Sequence, residues 1–81
     1  MKPRLTVLSR ECCHLCEELL AGLKQFQGRY SFDIEVIDVD RHPELEEKWG
    51  DKVPVLLDGD RELCHYYLDV AVVDARLARM K

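Results

Sequence analysis

The sequence predicts an α/β domain: a four-stranded mixed sheet flanked by helices on both faces, in the order β-α-β-α-β-β-α. Three observations carry that prediction. The apolar spacing switches from strand-like to helical soon after Ser9, an alternating run follows in "YSFDIEVIDVD", and two short apolar runs flank the turn signal Asp58–Gly59. A chain of 81 residues suffices for one hydrophobic core, and so for a single domain spanning residues 1–81.

Each element has its own signature. In "RLTVLS", Arg4 to Ser9, the residues Leu5, Val7 and Leu8 supply the apolar surface of a first strand. From Leu15 the period becomes helical: Leu15, Leu19, Leu23 and Phe26 recur at steps of four, four and three. Cys16, Leu20 and Leu23 form the adjacent stripe, and the helix is expected to end near Gln27 with Gly28 as its cap. In the next strand Phe32, Ile34 and Val36 should face one way, and Asp33 and Glu35 the other. Pro43 suits the first position of a short second helix that ends at Trp49–Gly50. Val53–Leu57 and Arg61–Cys64 read as a hairpin. Asp69 can cap a last helix whose buried stripe is Val70, Val73, Leu77 and Met80. The first two strands should be parallel through a helical crossover, and the hairpin antiparallel.

Composition removes several function classes. Apolar residues make up 47% of the chain and charged residues 35%, the balance of a soluble globular protein. The net charge of −4 is spread through the sequence, so no basic patch offers itself to nucleic acid and an acidic surface discourages contact with anionic lipid. The N-terminal apolar run is too short for a secretory signal, and nothing approaches the roughly 18 apolar residues of a membrane span. The expectation is a cytoplasmic protein in a reducing compartment, where clustered cysteines serve catalysis or metal binding more than structural stapling.

Three of the four cysteines fall within "CCHLC", where the first strand gives way to the first helix. Cys13 and Cys16 form a C-x-x-C at the helix start, and residues three apart share a helix face. Their alpha carbons then fall within the span of an unstrained disulfide, about 4.4–6.8 Å. Cys13, at the edge, is expected to be the attacking thiol, and Cys16 beneath it the resolving one. Only the thiolate attacks. A thiol of pKa near 8.5 is about 3% ionised at neutral pH, and lowering it to about 6.5 gives roughly 75%. Unpaired N–H groups at the helix terminus supply part of that lowering, Arg10 adds positive charge, and His14 could donate to sulfur. Glu11, Glu17 and Glu18 oppose them.

The plainer readings stand beside this one. A C-x-x-C can be half of a zinc site, with Cys64–His65 as the other half, although neighbours on a strand point to opposite faces. The thiols could also be inert packing. Cys12 is expected as a small filler at a tight corner, Cys64 as an inward-packed strand residue, and His14 and His65 as either surface or functional histidines. Pro54, between Val53 and Val55, has no N–H for the ladder. A cis Val53–Pro54 bond would turn the backbone toward the cysteines and leave Val53's N–H and C=O free to pair with an extended thiol substrate. A trans proline opening the strand is the alternative.

"TVLSRECCHLCEELL", followed some forty residues later by "KVPVLLDG", resembles the glutaredoxin branch of the thioredoxin fold, above all its small bacterial glutaredoxin-like members. The resemblance covers nearly the whole chain. It implies Cys13 as nucleophile, Cys16 as resolving thiol and Pro54 as a cis proline beside the disulfide. It also implies glutathione as a co-substrate, with Arg10 meeting a glutathione carboxylate, Val53 pairing with the tripeptide's backbone and Asp69 as the later acidic contact. This sequence departs from the family pattern in having "CHYYLD" where Gly-Gly usually follows the hairpin, and His14–Leu15 in place of Pro-Tyr.

The expected function is therefore a thiol–disulfide oxidoreductase acting on protein disulfides or glutathionylated proteins. Its oxidised pair would be re-reduced by glutathione or a thioredoxin-type reductase. A monomer is expected, with no bound cofactor, no metal, no nucleic acid and no membrane partner. Two other classes remain as alternatives: a thiol-based zinc or iron–sulfur carrier, and a redox-silent interaction domain.

Overall fold

Leu5, Val7 and Leu8 are almost completely buried, which places the first strand in the middle of the sheet. The structure, a computed structural model, describes residues 2–79. The elements run β1 (Arg4–Ser9), α1 (His14–Gln25), β2 (Asp33–Asp38), α2 (Pro43–Trp49), β3 (Val55–Asp58), β4 (Arg61–His65) and α3 (Val70–Arg79). Short 3-10 turns follow α1, β2 and α2. The element order is the one the sequence predicts.

The strand order is β2-β1-β3-β4. β1 is parallel to β2, with Leu5 opposite Ile34 and Ser9 opposite Asp38. It is antiparallel to β3, with Val7 opposite Leu56 and Leu8 opposite Val55, and β3 is antiparallel to β4. Alternation along β1 and β3 then divides the core in two. Leu5, Val7, Leu56 and Cys64 pack with Leu19, Leu23 and Phe26 from the α1 side and Val73 and Leu77 of α3. Leu8, Val55 and Leu57 pack with Val39, and with Leu45 and Trp49 of α2, on the other face. The helices therefore lie on both faces of a mixed sheet.

Local chemistry explains the boundaries. Pro43 occupies the first turn of α2, where its missing N–H costs nothing. Gly59 has φ +63° in the hairpin turn, the left-handed region that glycine enters without penalty. The turn is held against α3 by an ion pair between Asp58 and Arg76. One extra residue in β4 shifts the register between Leu56–Cys64 and Leu57–Glu62, which is a β-bulge. Asp69 caps α3 as expected, its carboxylate accepting the Val72 N–H at 3.2 Å.

Several details depart from the sequence reading. α1 begins one residue earlier, at His14, and its last expected turn tightens into the 3-10 turn Phe26–Gly28, so Gly28 is not the helix cap. Leu15 is only half-buried; Cys16, Leu19 and Leu23 form the buried stripe. Val36 does face the same way as Ile34, opposite Val7, yet it is 50% exposed, because β2 is an edge strand that α1 does not fully cover. β3 starts at Val55, since Pro54 brings no N–H to the ladder, and β4 runs one residue further, to His65. Val70 is 58% exposed at the first turn of α3, ahead of the buried Val73–Leu77 stripe, and Met80 lies outside the described residues.

Leu23 is fully buried beneath the sheet, whereas Val36 has half its surface in water. Leu23→Ala is expected to cost about 3 kcal/mol through lost transfer energy and the cavity left behind. Val36→Thr should change stability by less than about 0.5 kcal/mol. Urea unfolding followed by the fluorescence of the single Trp49 measures both.

Candidate functional site: a cysteine pair at a helix N-terminus

The site begins where β1 runs out. After Ser9 the chain must reverse into α1, and Cys12 makes the corner with φ +55°, a left-handed conformation that costs a non-glycine residue about 1–2 kcal/mol. Cys13 then adopts an extended conformation (φ −109°, ψ 104°) as the N-cap of α1. Its Sγ accepts the backbone N–H of Cys16 at 3.1 Å, and its carbonyl accepts the N–H of Glu17 at 3.1 Å. Sulfur thus occupies the place a serine or aspartate oxygen usually takes at a helix start.

The two sulfurs of Cys13 and Cys16 stand at disulfide distance, with alpha carbons 5.2 Å apart. Cys16 is 5% exposed and belongs to the buried stripe of α1, while Cys13 is half-buried at the surface. One sulfur is therefore open to attack from outside, and its partner lies beneath it. The N–H that caps Cys13 aims at the atom where thiolate charge would reside, a charge-assisted arrangement stronger than a neutral hydrogen bond. A cleft of about 170 Å³ adjoins the pair, with Arg10, Glu17, Leu20 and Val36 in its walls.

The proline arrives from the neighbouring strand. The Val53–Pro54 peptide bond is cis, and Val53 is extended (φ −66°, ψ 142°) just ahead of it. Because Leu8 lies opposite Val55, Pro54 sits at the end of the sheet from which the cysteine loop departs. Tyr66 braces this segment. Its N–H donates to the Pro54 carbonyl at 2.9 Å and its hydroxyl to the Asp51 carbonyl at 2.6 Å, while its own φ is +64°. Its ring therefore runs alongside residues 51–54.

The remaining residues singled out by the sequence have other partners. Arg10 does line the cleft, but its guanidinium pairs with Glu46 of α2 and its Nε lies 3.5 Å from Asp40. His14 is well exposed and stands between two carboxylates, 3.3 Å from Glu18 and 3.9 Å from Glu17. Asp69 spends its carboxylate on capping α3. Cys12 makes the expected corner, but its side chain is exposed instead of filling space. His65 pairs with Glu62 at 2.6 Å.

Cys64 is buried in the α1–α3 core, as expected. Burial pushes its thiol pKa up; the Asp69 backbone N–H pulls the other way, and the Asp69 and Glu62 carboxylates add to the rise. Among the described residues no group of three or more histidine, cysteine or acidic side chains is placed to hold a metal. Nor is any described helix long and apolar enough to cross a membrane. Sequence reasoning missed the Arg10 partners Asp40 and Glu46, the cleft wall made by Leu20 and Val36, and the Tyr66 brace. Only the acidic first turn of α2 hinted at the first of these.

A test of this arrangement is thiol labelling. In the reduced protein, iodoacetamide at neutral pH should modify Cys12 and Cys13 well before Cys64, as peptide mass mapping would show. Cys64 should label only as the pH rises toward its elevated pKa or as the fold opens, because a raised pKa keeps the thiol protonated. Labelling of Cys64 as fast as Cys12 would contradict its burial.

Comparisons with known proteins bear on the fold and the family. The chain is similar to the uncharacterised protein Rv0508 of Mycobacterium tuberculosis, at 30% identity over 83 residues, covering 96% of this chain and 86% of that protein. Its fold is similar to the solution structure of protein Ne2328 from Nitrosomonas europaea, with TM-score 0.85 and 44% identity, covering 95% of this chain and 93% of that one. It is also similar to the crystal structure of XcR50 from X. campestris, with TM-score 0.71 and 32% identity, covering 95% of this chain and 99% of that one. The family model described as Glutaredoxin-like domain (DUF836) matches residues 4–78, and the chain, with its C-x-x-C pair at the head of α1, belongs to that glutaredoxin-like family of the thioredoxin fold.

Proposed function

We propose that the protein is a thiol–disulfide oxidoreductase that reduces protein disulfides or glutathione mixed disulfides through Cys13 and Cys16. The observation that carries this reading is the capped, half-exposed Cys13 sulfur at disulfide distance from the buried Cys16. The Cys13 thiolate attacks one sulfur of the substrate disulfide. A mixed disulfide forms, and the displaced thiolate takes a proton from water. Cys16, losing its own proton, then attacks the Cys13 sulfur, and the second substrate thiol leaves with a proton. Counting the proton that Cys13 gave to water on becoming a thiolate, two electrons and two protons have passed from the dithiol to the substrate, leaving a Cys13–Cys16 disulfide. Glutathione or a thioredoxin-type reductase would return the pair to the dithiol.

Extended backbone at Val53, held beside cis-Pro54 by Tyr66, supplies an edge along which an extended substrate could lie during the exchange. A metal-carrier role draws less support. Cys64 is packed among Leu56, Val73 and Leu77, and His65 is opposite Val55 and paired with Glu62. The second half of a four-ligand site is therefore not assembled next to the first.

Substitution separates the two thiols. Cys13→Ser is expected to abolish disulfide reduction, at least a hundredfold down, because no nucleophile remains. Cys16→Ser should still attack but accumulate a covalent mixed disulfide on Cys13, visible by non-reducing gel or intact mass. Turnover retained in Cys13→Ser would overturn the assignment.

A further inference from the structure

We propose that this site selects disulfides flanked by positive charge, as in a lysine- or arginine-bearing protein segment, over anionic disulfides such as that of glutathione. The proposal rests on the dithiol reading above and narrows its substrate class. Two independent features carry it: the fate of Arg10, and the shape of the cleft beside the cysteines.

Arg10 is the cation of the cleft, and it is already engaged. Glu46 takes one guanidinium nitrogen and Asp40 stands 3.5 Å from another, on an Nε buried from solvent. An incoming carboxylate would have to displace Glu46 and meet Asp40. Glu17 also lines the cleft, with Glu18 on the next position of α1 and Glu11 exposed on the loop. Arg10 is thus paired with two carboxylates, Asp40 and Glu46, and a third, Glu17, lines the cleft with it; His14, between Glu17 and Glu18, offsets one carboxylate only when protonated. Other nearby cations do not change the sign. Arg41 pairs with Asp38, while Lys48 and Lys52 lie over the Trp49 ring on the α2 face.

The cleft's shape points the same way. Leu20 and the exposed Val36 give it an apolar wall, and Glu17 gives it an acidic rim. That pairing suits a long aliphatic side chain with a cationic tip, whose stem lies on apolar surface while its head stays near carboxylate and water. A lysine or arginine close to the substrate cysteine could occupy it while the disulfide reaches Cys13. The chemistry is unchanged: the two cysteine thiols are oxidised to their disulfide and the substrate R–S–S–R leaves as two RSH.

The test compares three small disulfides that differ in charge: cystamine (cationic), 2-hydroxyethyl disulfide (neutral) and glutathione disulfide (anionic). Reduced, desalted protein is mixed with each, quenched with acid, and followed by intact mass as it loses two hydrogens. Each rate is divided by that of dithiothreitol with the same disulfide, which cancels the leaving thiol's own reactivity. At low ionic strength the normalised rate for cystamine should exceed that for glutathione disulfide by about tenfold, shrinking to about twofold at roughly 0.5 M salt. The neutral disulfide should fall between them and ignore salt. Replacing Glu17 and Glu18 together by Gln should lower the cystamine-to-glutathione ratio about threefold. Equal normalised rates, or a faster glutathione disulfide, would overturn the charge preference while leaving the dithiol chemistry intact. Failure to reduce even the neutral disulfide would overturn the dithiol reading, and this proposal with it.

Discussion

One sulfur has two obligations in this fold. Cys13 must close the N-terminus of α1 by accepting the Cys16 N–H, and it must lie within bonding reach of the Cys16 sulfur. Both are met only if the chain turns sharply between the end of β1 and the start of α1. The left-handed corner at Cys12 makes that turn, at a local backbone cost that the surrounding packing repays. β1 sits in the centre of the sheet with Leu5, Val7 and Leu8 buried, so the corner hangs from a strand anchored on both faces of the core. Leu19 and Leu23 then anchor α1 to the sheet, and each such burial is worth about 1.5–3 kcal/mol. The site is exposed, but its foundations are not.

Much of this was legible in the sequence because periodicity is a local signal. The helical spacing of Leu19, Leu23 and Phe26, the Asp58–Gly59 turn and the Pro43 start of α2 needed no tertiary knowledge. What the pattern could not give was the exposure of residues whose environment is set by topology. Val36 alternates correctly, but β2 turns out to be the edge strand, so half of it stays wet. Val70 lies in phase with Val73 and Leu77, yet at the first turn of α3 nothing covers it. The start of β3 moved because a residue's pairing depends on its N–H as well as its side chain, and Pro54 has none.

The candidate site divides along the same line. Cys13, Cys16 and Pro54 declare themselves through spacing and residue type. Arg10 also looked legible, as a free positive charge beside the nucleophile. Its partners, Asp40 and Glu46, come from segments more than two dozen positions away, and no local pattern could have paired them. Tyr66 is a similar case: its hydroxyl and N–H tie residues 51–54 together across the end of the sheet, although the sequence shows only an aromatic after a strand. These long-range contacts leave the cysteine pair as the family would have it, and change the charge and the walls around it.

The account depends most directly on Cys13 and Cys16 forming a reversible disulfide with each other. Intact mass of acid-trapped protein, equilibrated across a series of dithiothreitol redox buffers, measures this without needing a substrate. A single transition losing two hydrogens, with peptide mapping placing the bond between Cys13 and Cys16, is the expected result. No transition, or a bond that instead recruits Cys12 or Cys64, would contradict the account.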